Sequence, residues 1–222
     1  MAIHKEDFRI CRAIGDHGAK VLPPGGVYHH CNTGSLATGG WGTALGVIRS
    51  MHAQGIDVHC YAGETRPYLQ GARLTAWEMA KEKIPCTLVT DSMAAVVMAQ
   101  GKVNSVIVGC DRVAANGDVA NKIGTLGLAV LAKHYDIPFF VAMPMSTLDM
   151  RAATGSDIKI EERNGNEVKC FRNEQTAPDA IEAFNPAFDV TPNELITGGW
   201  ITEIGLWSPE KKNCSNSVSN TN

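Results

Sequence analysis

The sequence predicts an α/β fold, a Rossmann-like open parallel sheet with helices on both faces. Apolar runs of about six residues alternate along the chain with stretches of 10–15 residues at helical spacing, the pattern of right-handed βαβ units. The run 105–108 (SVIV) is apolar throughout, which is typical of a strand buried on both faces. With 222 residues, 44% of them hydrophobic, the chain is long enough for one large core.

Composition and charge exclude several classes of protein. The net charge is −3 and the basic residues are dispersed, so neither a nucleic acid nor a membrane surface is expected as a partner. No apolar run approaches the roughly 20 residues of a membrane span, and residues 1–7 do not resemble a signal peptide. The seven cysteines contain no CxxC pair, which argues against a disulfide framework or a structural zinc site and indicates a reducing, cytoplasmic compartment.

The elements are predicted in the following order. An opening helix is expected over 5–20, followed by a Pro/Gly hinge at 21–26. Strands are expected at 27–31, 57–62, 85–90, 105–108 and 138–143, and helices at 43–54, after 67, at 93–100 with Asp91 as N-cap, and at 121–132. Beyond 144 we expect an edge strand at 157–162, a compact loop at 185–192, a helical turn at 194–196, a last strand at 201–207, and a disordered tail at 208–222.

Two reactive side chains follow predicted strands. Asp111 comes directly after the strand 105–108, and Cys31 ends the strand 27–31. Ligands of open parallel sheets bind outside the carboxyl ends of the strands, so both are candidates for chemistry. The alternatives are a surface pair of Asp111 with Arg112, and a cysteine that merely packs.

The exit of the next strand is rich in groups that hold anions. Arg66, Gln70 and Arg73 are close in sequence, and two guanidiniums with an amide suit a phosphorylated sugar. The alternative is a solvated first helical turn.

A glycine-rich turn precedes the helix predicted at 43–54. Its glycines at 40, 42 and 46 do not match G-x-G-x-x-G, and no Walker lysine follows, so a nicotinamide-dependent oxidoreductase is disfavoured and no NAD binding is expected. A loop for phosphate or a polar substrate remains reasonable.

Several long blocks, in order, resemble one family. They are 31–38 (CNTGSLAT), 42–49 (GTALGVIR), 64–67 (ETRP), 69–76 (LQGARLTA), 111–124 (DRVAANGDVANKIG), 185–192 (NPAFDVTP) and 201–203 (ITE). Together they resemble methylthioribose-1-phosphate isomerase over nearly all of residues 10–210. The regulatory subunits of the translation factor that exchanges guanine nucleotide on initiation factor two share this fold, but they lack the pairing of Cys31 with Asp111.

The resemblance implies an activity and a site. The family converts 5-methylthioribose 1-phosphate to 5-methylthioribulose 1-phosphate in methionine salvage. It implies Asp111 as general acid/base, Cys31 as second catalytic group, and Gln70, Asn121 and Lys122 as substrate ligands. Lys122 at a helix start would suit a phosphate, while Asn121 could equally be an N-cap. No metal or organic cofactor is expected. The resemblance implies a homodimer, located in the cytoplasm and also in the nucleus.

Two departures from the family stand out. Cys110 replaces the usual alanine before the catalytic aspartate, which we interpret as neutral packing. The family also carries an N-terminal domain that supplies an Arg-Gly-Ala segment and another arginine, and this sequence has no such segment. We therefore expect residues 1–24 to be a helical connection, 25–207 the catalytic domain and 208–222 a tail, in a chain that folds but turns over the sugar phosphate poorly or not at all. The alternative is a truncated non-catalytic relative that acts as a binding or oligomerisation module.

Overall fold

The computed structural model describes residues 2–172 and 174–209, and its central feature is a seven-stranded sheet. Its strands are β1 (Gly25–His29), β2 (Val58–Gly63), β3 (Cys86–Val89), β4 (Ser105–Val108), β7 (Phe139–Ala142), β12 (Gly199–Thr202) and β13 (Gly205–Trp207). They lie in the order β13-β12-β7-β4-β1-β2-β3, and every neighbouring pair is parallel except β12 with β13. The predicted open parallel sheet is confirmed.

Helices cover both faces of this sheet. They are α1 (Ala2–Gly18), α2 (Ala44–Ala53), α3 (Ala76–Glu82), α4 (Ala94–Ala99), α5 (Thr125–His134) and the short α6 (Asn166–Lys169). One core lies between the sheet and the layer of α1, α2 and α3, and a second lies between the sheet and the layer of α4 and α5.

Strand alternation explains why two cores form. In β4, Val106 and Val108 belong to the core under α4 and α5, whereas Ile107 between them belongs to the core under α1, α2 and α3. Successive side chains of a strand point to opposite faces, so an unbroken apolar run fills both layers at once. All four residues of β4 are buried, as predicted from the run 105–108.

A second, four-stranded sheet follows β4 and corrects the predicted helix at 121–132. Its strands are β5 (Arg112–Ala114), β6 (Val119–Lys122), β8 (Leu148–Asp149) and β11 (Phe188–Thr191), in the order β11-β6-β5-β8. The Asn116–Gly117 pair turns β5 into β6 as a hairpin, with Gly117 in the left-handed region at φ +93°. Lys122 therefore ends a strand, and the helix begins only at Thr125.

The segments after residue 144 differ from the prediction in most places. The segment 157–162 is not a strand but a 3₁₀ turn (Gly155–Asp157) and irregular chain, with one isolated bridge from Glu162 to Pro186. The segment 185–192 is not only a loop, because it contains β11, which pairs antiparallel with β6. The last predicted strand is a hairpin of β12 and β13, and a small hairpin pairs β9 (Cys170–Phe171) with β10 (Glu174–Gln175). The helical turn predicted at 194–196 occurs as Asn193–Leu195.

The ends of the chain contribute in different ways. Helix α1 packs against α2, and His17 Nδ1 lies 2.9 Å from the Thr202 carbonyl oxygen, so the opening helix is docked on the sheet layer. The boundaries at residues 24 and 207 stay predictions. Most of the predicted tail, residues 210–222, lies outside the described residues. Within the part of the chain that is described, no helix combines the length and apolar character needed to cross a membrane.

Candidate active site

A cavity of about 500 Å³ opens at the carboxyl ends of β1 and β4. Its wall includes five of the seven residues singled out from the sequence: Cys31, Gln70, Asp111, Asn121 and Lys122. The convergence of Cys31 and Asp111 follows from sheet order, because β1 and β4 are hydrogen-bonded neighbours and each side chain comes just after its strand.

Cys31 is held by its backbone from two sides. Its φ is +69°, in the left-handed region that non-glycine residues rarely adopt. The Cys31 N–H donates to Thr65 Oγ1 at 2.8 Å, and its carbonyl accepts from Thr75 Oγ1 at 2.6 Å. The two threonine hydroxyls, which sequence reasoning missed, therefore fix a backbone bend that turns the thiol into the cavity.

Burial and one cation set the protonation of the two reactive groups. Burial raises the pKa of the Cys31 thiol, against the lowering effects of the Asn32 backbone N–H and Lys122. Desolvation also raises the pKa of Asp111, although this residue keeps an exposed surface toward the cavity, and Lys122 offsets part of the rise. The thiol is therefore neutral near pH 7, and the carboxyl is a stronger proton acceptor than an ordinary aspartate.

Lys122 reaches the cavity from the end of β6 rather than from a helix. The residue is 8% exposed. Its ammonium group donates to the Ala187 carbonyl at 3.2 Å and lies 4.4 Å from the centroid of the Phe188 ring. Because a carbonyl and an aromatic face do not neutralise the lysine, its charge acts on Cys31 and Asp111.

Two amide side chains line the same cavity. Asn121 is not a helix cap, because it lies in β6, where its Nδ2 donates to Thr125 Oγ1 at 3.0 Å. Gln70 Oε1 is buried and has no hydrogen-bond partner among the described residues. An unpartnered buried acceptor costs free energy, so Gln70 Oε1 is suited to accept a hydrogen bond from a hydroxyl group of a ligand.

The two predicted arginines lie away from the cavity wall. Arg66 donates to the carbonyls of Pro67 at 3.1 Å and Val168 at 3.0 Å. Arg73 is exposed and donates to the Tyr68 carbonyl at 3.4 Å. Their role as ligands of a sugar phosphate stays a prediction.

The glycine-rich turn is already satisfied by protein groups. Asp7 of α1 accepts from the Gly39 N–H at 2.5 Å, and Thr38 Oγ1 accepts from the N–H groups of Gly40 at 3.3 Å and Gly42 at 3.1 Å. The Gly39 amide joins the loop to α1 and the other two amides are bound within the loop, so the structure does not favour this turn as a phosphate cradle.

A buried ion pair that the sequence did not reveal supports the loop after Cys31. Glu78 of α3 is 2% exposed and pairs with Arg49 of α2. Its carboxylate also accepts from Asn32 Nδ2 at 2.8 Å and from the Ser35 N–H at 2.8 Å. Arg49 and Glu78 both lie in segments with helical spacing, where charged residues are usually exposed to solvent. The sequence alone therefore does not show that they form a buried pair.

Asp91 has a different role from the predicted N-cap. Its two carboxylate oxygens accept from the backbone N–H groups of Thr65 at 2.8 Å and Arg66 at 2.7 Å. Asp91 follows β3 and Thr65 follows β2, so this contact ties two strand exits together and places the threonine that holds Cys31.

The amino end of α5 is capped from β11. Asp189 accepts from the N–H groups of Gly124 at 2.8 Å and Leu126 at 3.1 Å. Burial raises the pKa of Asp189 to about 6, against the lowering effect of these hydrogen bonds. The contact fixes β11 and its partner β6, and hence Asn121 and Lys122, relative to α5.

Within residues 2–172 and 174–209, no group of three His, Cys, Asp or Glu side chains could hold a metal ion.

The amino-acid sequence is similar over most of its length to those of curated isomerases. Methylthioribose-1-phosphate isomerase of Chloroflexus aurantiacus is 58% identical over 209 residues, which are 94% of this chain and 60% of that protein. The protein of the same name from Magnetococcus marinus is 58% identical over 211 residues, with 92% and 60% covered. This chain thus spans about 60% of the length of these curated relatives.

Solved structures lead to the same fold. The crystal structure of 5-methylthioribose 1-phosphate isomerase from Pyrococcus horikoshii matches with a TM-score of 0.92 at 48% identity, over 96% of this chain and 60% of that one. Subunit delta of the translation initiation factor eIF-2B from A. fulgidus matches with a TM-score of 0.90 at 45% identity, over 95% and 61%. The model of the Initiation factor 2 subunit family matches residues 1–209, and the chain belongs to this family.

Proposed function

We propose that this chain carries the active site of an aldose–ketose isomerase that converts 5-methylthioribose 1-phosphate to 5-methylthioribulose 1-phosphate. The observation that carries the proposal is the meeting of Cys31, Asp111 and Lys122 in one cavity. The names of the curated relatives support the choice of substrate.

The reaction requires groups that give and take protons. Moving hydrogen from C2 to C1 of the sugar, and opening its ring, changes the protonation of carbon and oxygen atoms. Asp111, whose pKa is raised by desolvation, is suited to act as general acid/base near neutral pH. Cys31 brings a protonated thiol to the same space and serves as the second group.

Polar contacts for the sugar phosphate are available beside these two groups. The Lys122 ammonium group supplies a positive charge for the phosphate, and the free Gln70 Oε1 accepts from a sugar hydroxyl. Asn121 lies beside Lys122 on β6 and is the third proposed ligand.

Part of the cavity wall is apolar and suits the methylthio group. Leu36, Leu74 and Pro144 belong to this wall. A thioether gains from burial against such side chains and offers only a weak hydrogen-bond acceptor, so an apolar wall favours it over a sugar hydroxyl. The cavity therefore offers both a cation for the phosphate and apolar side chains for the methylthio group.

A second function remains in view because of the likeness to an eIF-2B subunit. In that case the chain would be a non-catalytic relative that binds or oligomerises. The pairing of Cys31 with Asp111 favours the enzyme, since a binding module needs no pair of proton-transfer groups.

Turnover by the purified chain tests the proposal. The aldose phosphate is incubated with the chain in excess, so that slow conversion is measurable, and phosphorus NMR follows the ketose phosphate. The same assay is run with the chain extended by the N-terminal domain of the family, since this chain alone is expected to turn over poorly or not at all. We expect the extended chain to form ketose. Binding of the aldose phosphate by the extended chain without any ketose would contradict the isomerase and favour the non-catalytic relative.

The wider setting is part of the same proposal. We assign the reaction to methionine salvage and expect a homodimer in the cytoplasm, with the nucleus as a second compartment. Size-exclusion chromatography with light scattering tests the dimer.

A further inference from the structure

We propose that Cys60 and Cys86 form a modification site, at which a hydroperoxide converts the two thiols to a reversible intramolecular disulfide. Cys60 lies in β2 and Cys86 in β3, and the two residues are direct register partners in the sheet. Neither residue lines the cavity that holds Cys31 and Asp111.

The Cα spacing of the two strands falls within the range that a disulfide spans. Neighbouring strands lie about 4.7–4.9 Å apart, and disulfides bridge Cα atoms about 4.4–6.8 Å apart. Both side chains point to the face under α1, α2 and α3, where Cys60 is part of the core and Cys86 packs against it. The proximity of the two thiols shifts the pKa of each, downward for Cys86 and upward for Cys60.

The two thiols differ in access and acidity. Cys60 is fully buried, whereas Cys86 is half-buried on β3, which is the edge strand of the sheet. The hydrogen bond from Cys60 lowers the pKa of the Cys86 thiol, as does the Ala62 backbone N–H, while burial acts in the other direction. The same contact and burial raise the pKa of Cys60. Cys86 is therefore the attacking thiolate, and Cys60 the resolving thiol.

The chemistry balances in two steps. The Cys86 thiolate attacks one oxygen of the hydroperoxide, the O–O bond breaks, and the alkoxide or hydroxide leaves and takes up a proton, which gives a sulfenic acid on Cys86. Cys60 sulfur then attacks the Cys86 sulfur, and the hydroxyl leaves as water with the Cys60 proton. The dithiol loses two electrons and two protons, and the peroxide is reduced to water and an alcohol, or to two waters.

The disulfide would link the edge strand β3 covalently to β2, close to the segments that follow these two strands. β2 leads to Thr65, which binds the Cys31 N–H, and β3 leads to Asp91, which binds the Thr65 N–H. An edge strand is paired on one side only, so a covalent link to β2 limits its separation from the sheet.

Peptide mapping of the oxidised chain tests the proposal. The chain is treated with hydrogen peroxide, its remaining thiols are alkylated, and it is digested with trypsin without reductant. Trypsin cleavage after Lys83 separates the two cysteines. We expect one linked pair of peptides, containing Cys60 and Cys86, whose mass is lower by two hydrogens than the sum and which dithiothreitol separates. We also expect Tm to rise by about 5 °C or more.

Matched variants and contrary outcomes complete the design. Cys86→Ser is expected to abolish the linked peptide, and Cys170→Ser, on the separate hairpin, to leave it unchanged. Three outcomes would overturn the proposal. They are linkage of Cys86 to another cysteine, two thiols that stay free after peroxide treatment, and oxidation of Cys86 only to sulfinic acid. A linked pair without a rise in Tm would overturn the fastening of β3. These readouts do not depend on the proposed isomerase.

Discussion

Replacing Glu78 by glutamine is expected to destabilise the chain by about 3 kcal/mol, because it breaks a buried ion pair. The carboxylate is 2% exposed and accepts from Arg49, Asn32 and Ser35. Glutamine keeps the shape, but it removes the buried counter-charge of Arg49, leaves only the partly exposed Glu82 to pair with it, and turns an NH₂ group toward other donors. Removal of one partner of a buried pair costs about 3–5 kcal/mol, and the shape-matched amide places this case at the lower end.

The pH dependence gives this prediction a sign. Burial alone would raise the pKa of Glu78, but hydrogen bonds from Arg49, Asn32 and Ser35 outweigh it and hold the pKa below the ordinary value of 4.5. A carboxyl with a depressed folded-state pKa stabilises the fold above its unfolded-state pKa and loses that contribution as pH falls through the folded-state pKa. The difference between wild type and Glu78→Gln is therefore full at pH 7 and shrinks below about pH 4.5.

Thermal and urea unfolding at pH 7 and in the acidic range provide the assay. For a chain of this size, a loss of about 3 kcal/mol corresponds to a fall in Tm of about 6–12 °C. Glu82→Gln is the matched control, since Glu82 also pairs with Arg49 but its side chain is 38% exposed, and its loss should cost less than about 1 kcal/mol. Equal unfolding midpoints for Glu78→Gln and wild type, or an equal loss for both variants, would refute the reasoning.

Further predictions concern the ligands. Lys122→Ala is expected to raise KM by about 10-fold or more, because it removes one charge-assisted contact. The control Lys133→Ala, at an exposed lysine, should leave KM unchanged. A normal KM with abolished kcat in Lys122→Ala would place Lys122 in the chemistry instead. Because Lys122 lowers the pKa of Asp111, Lys122→Ala should also shift the acid limb of the pH–rate profile to higher pH, and an unchanged limb would contradict that coupling. Gln70→Ala should raise KM by about 2- to 12-fold, the range of one neutral hydrogen bond, and an unchanged KM would remove Gln70 from the ligands. NADH fluorescence is expected to show no saturable binding at micromolar concentration.

The main sheet could be predicted from the sequence because each of its central strands is a local apolar run. β4 and β7 are buried at every position, so their composition alone indicates their place. The positions of Cys31 and Asp111 followed from the same argument, since side chains after parallel strands meet at one edge of the sheet.

The smaller sheet was missed because its pairing is not local. Asn121 and Lys122 are polar and precede a true helix, so the segment looked like a helix start. What makes it a strand is pairing with β11, where Lys122 lies opposite Phe188 from much later in the chain. The Asn116–Gly117 turn was the one available signal of a hairpin.

The contacts that support the site are equally hidden in the sequence. Thr65, Thr75 and Glu78 are polar residues in or near helical segments, where solvent exposure is the ordinary expectation. Only the fold brings their oxygens to the backbone of Cys31 and to Asn32. The positive φ of Cys31 is likewise set by its surroundings and not by its own preference.

The rate of ketose formation in four variants tests most directly whether Cys31 and Asp111 perform the reaction. Asp111→Asn and Cys31→Ser are compared with two controls, Asp57→Asn just before the amino end of β2 and Cys170→Ser on the β9–β10 hairpin, each in the chain extended by the N-terminal domain of the family. We expect a fall of at least about 10²-fold for Asp111→Asn, severe impairment for Cys31→Ser, and rates near wild type for both controls. Wild-type rates in both Asp111→Asn and Cys31→Ser would contradict the assignment of the reaction to these two residues.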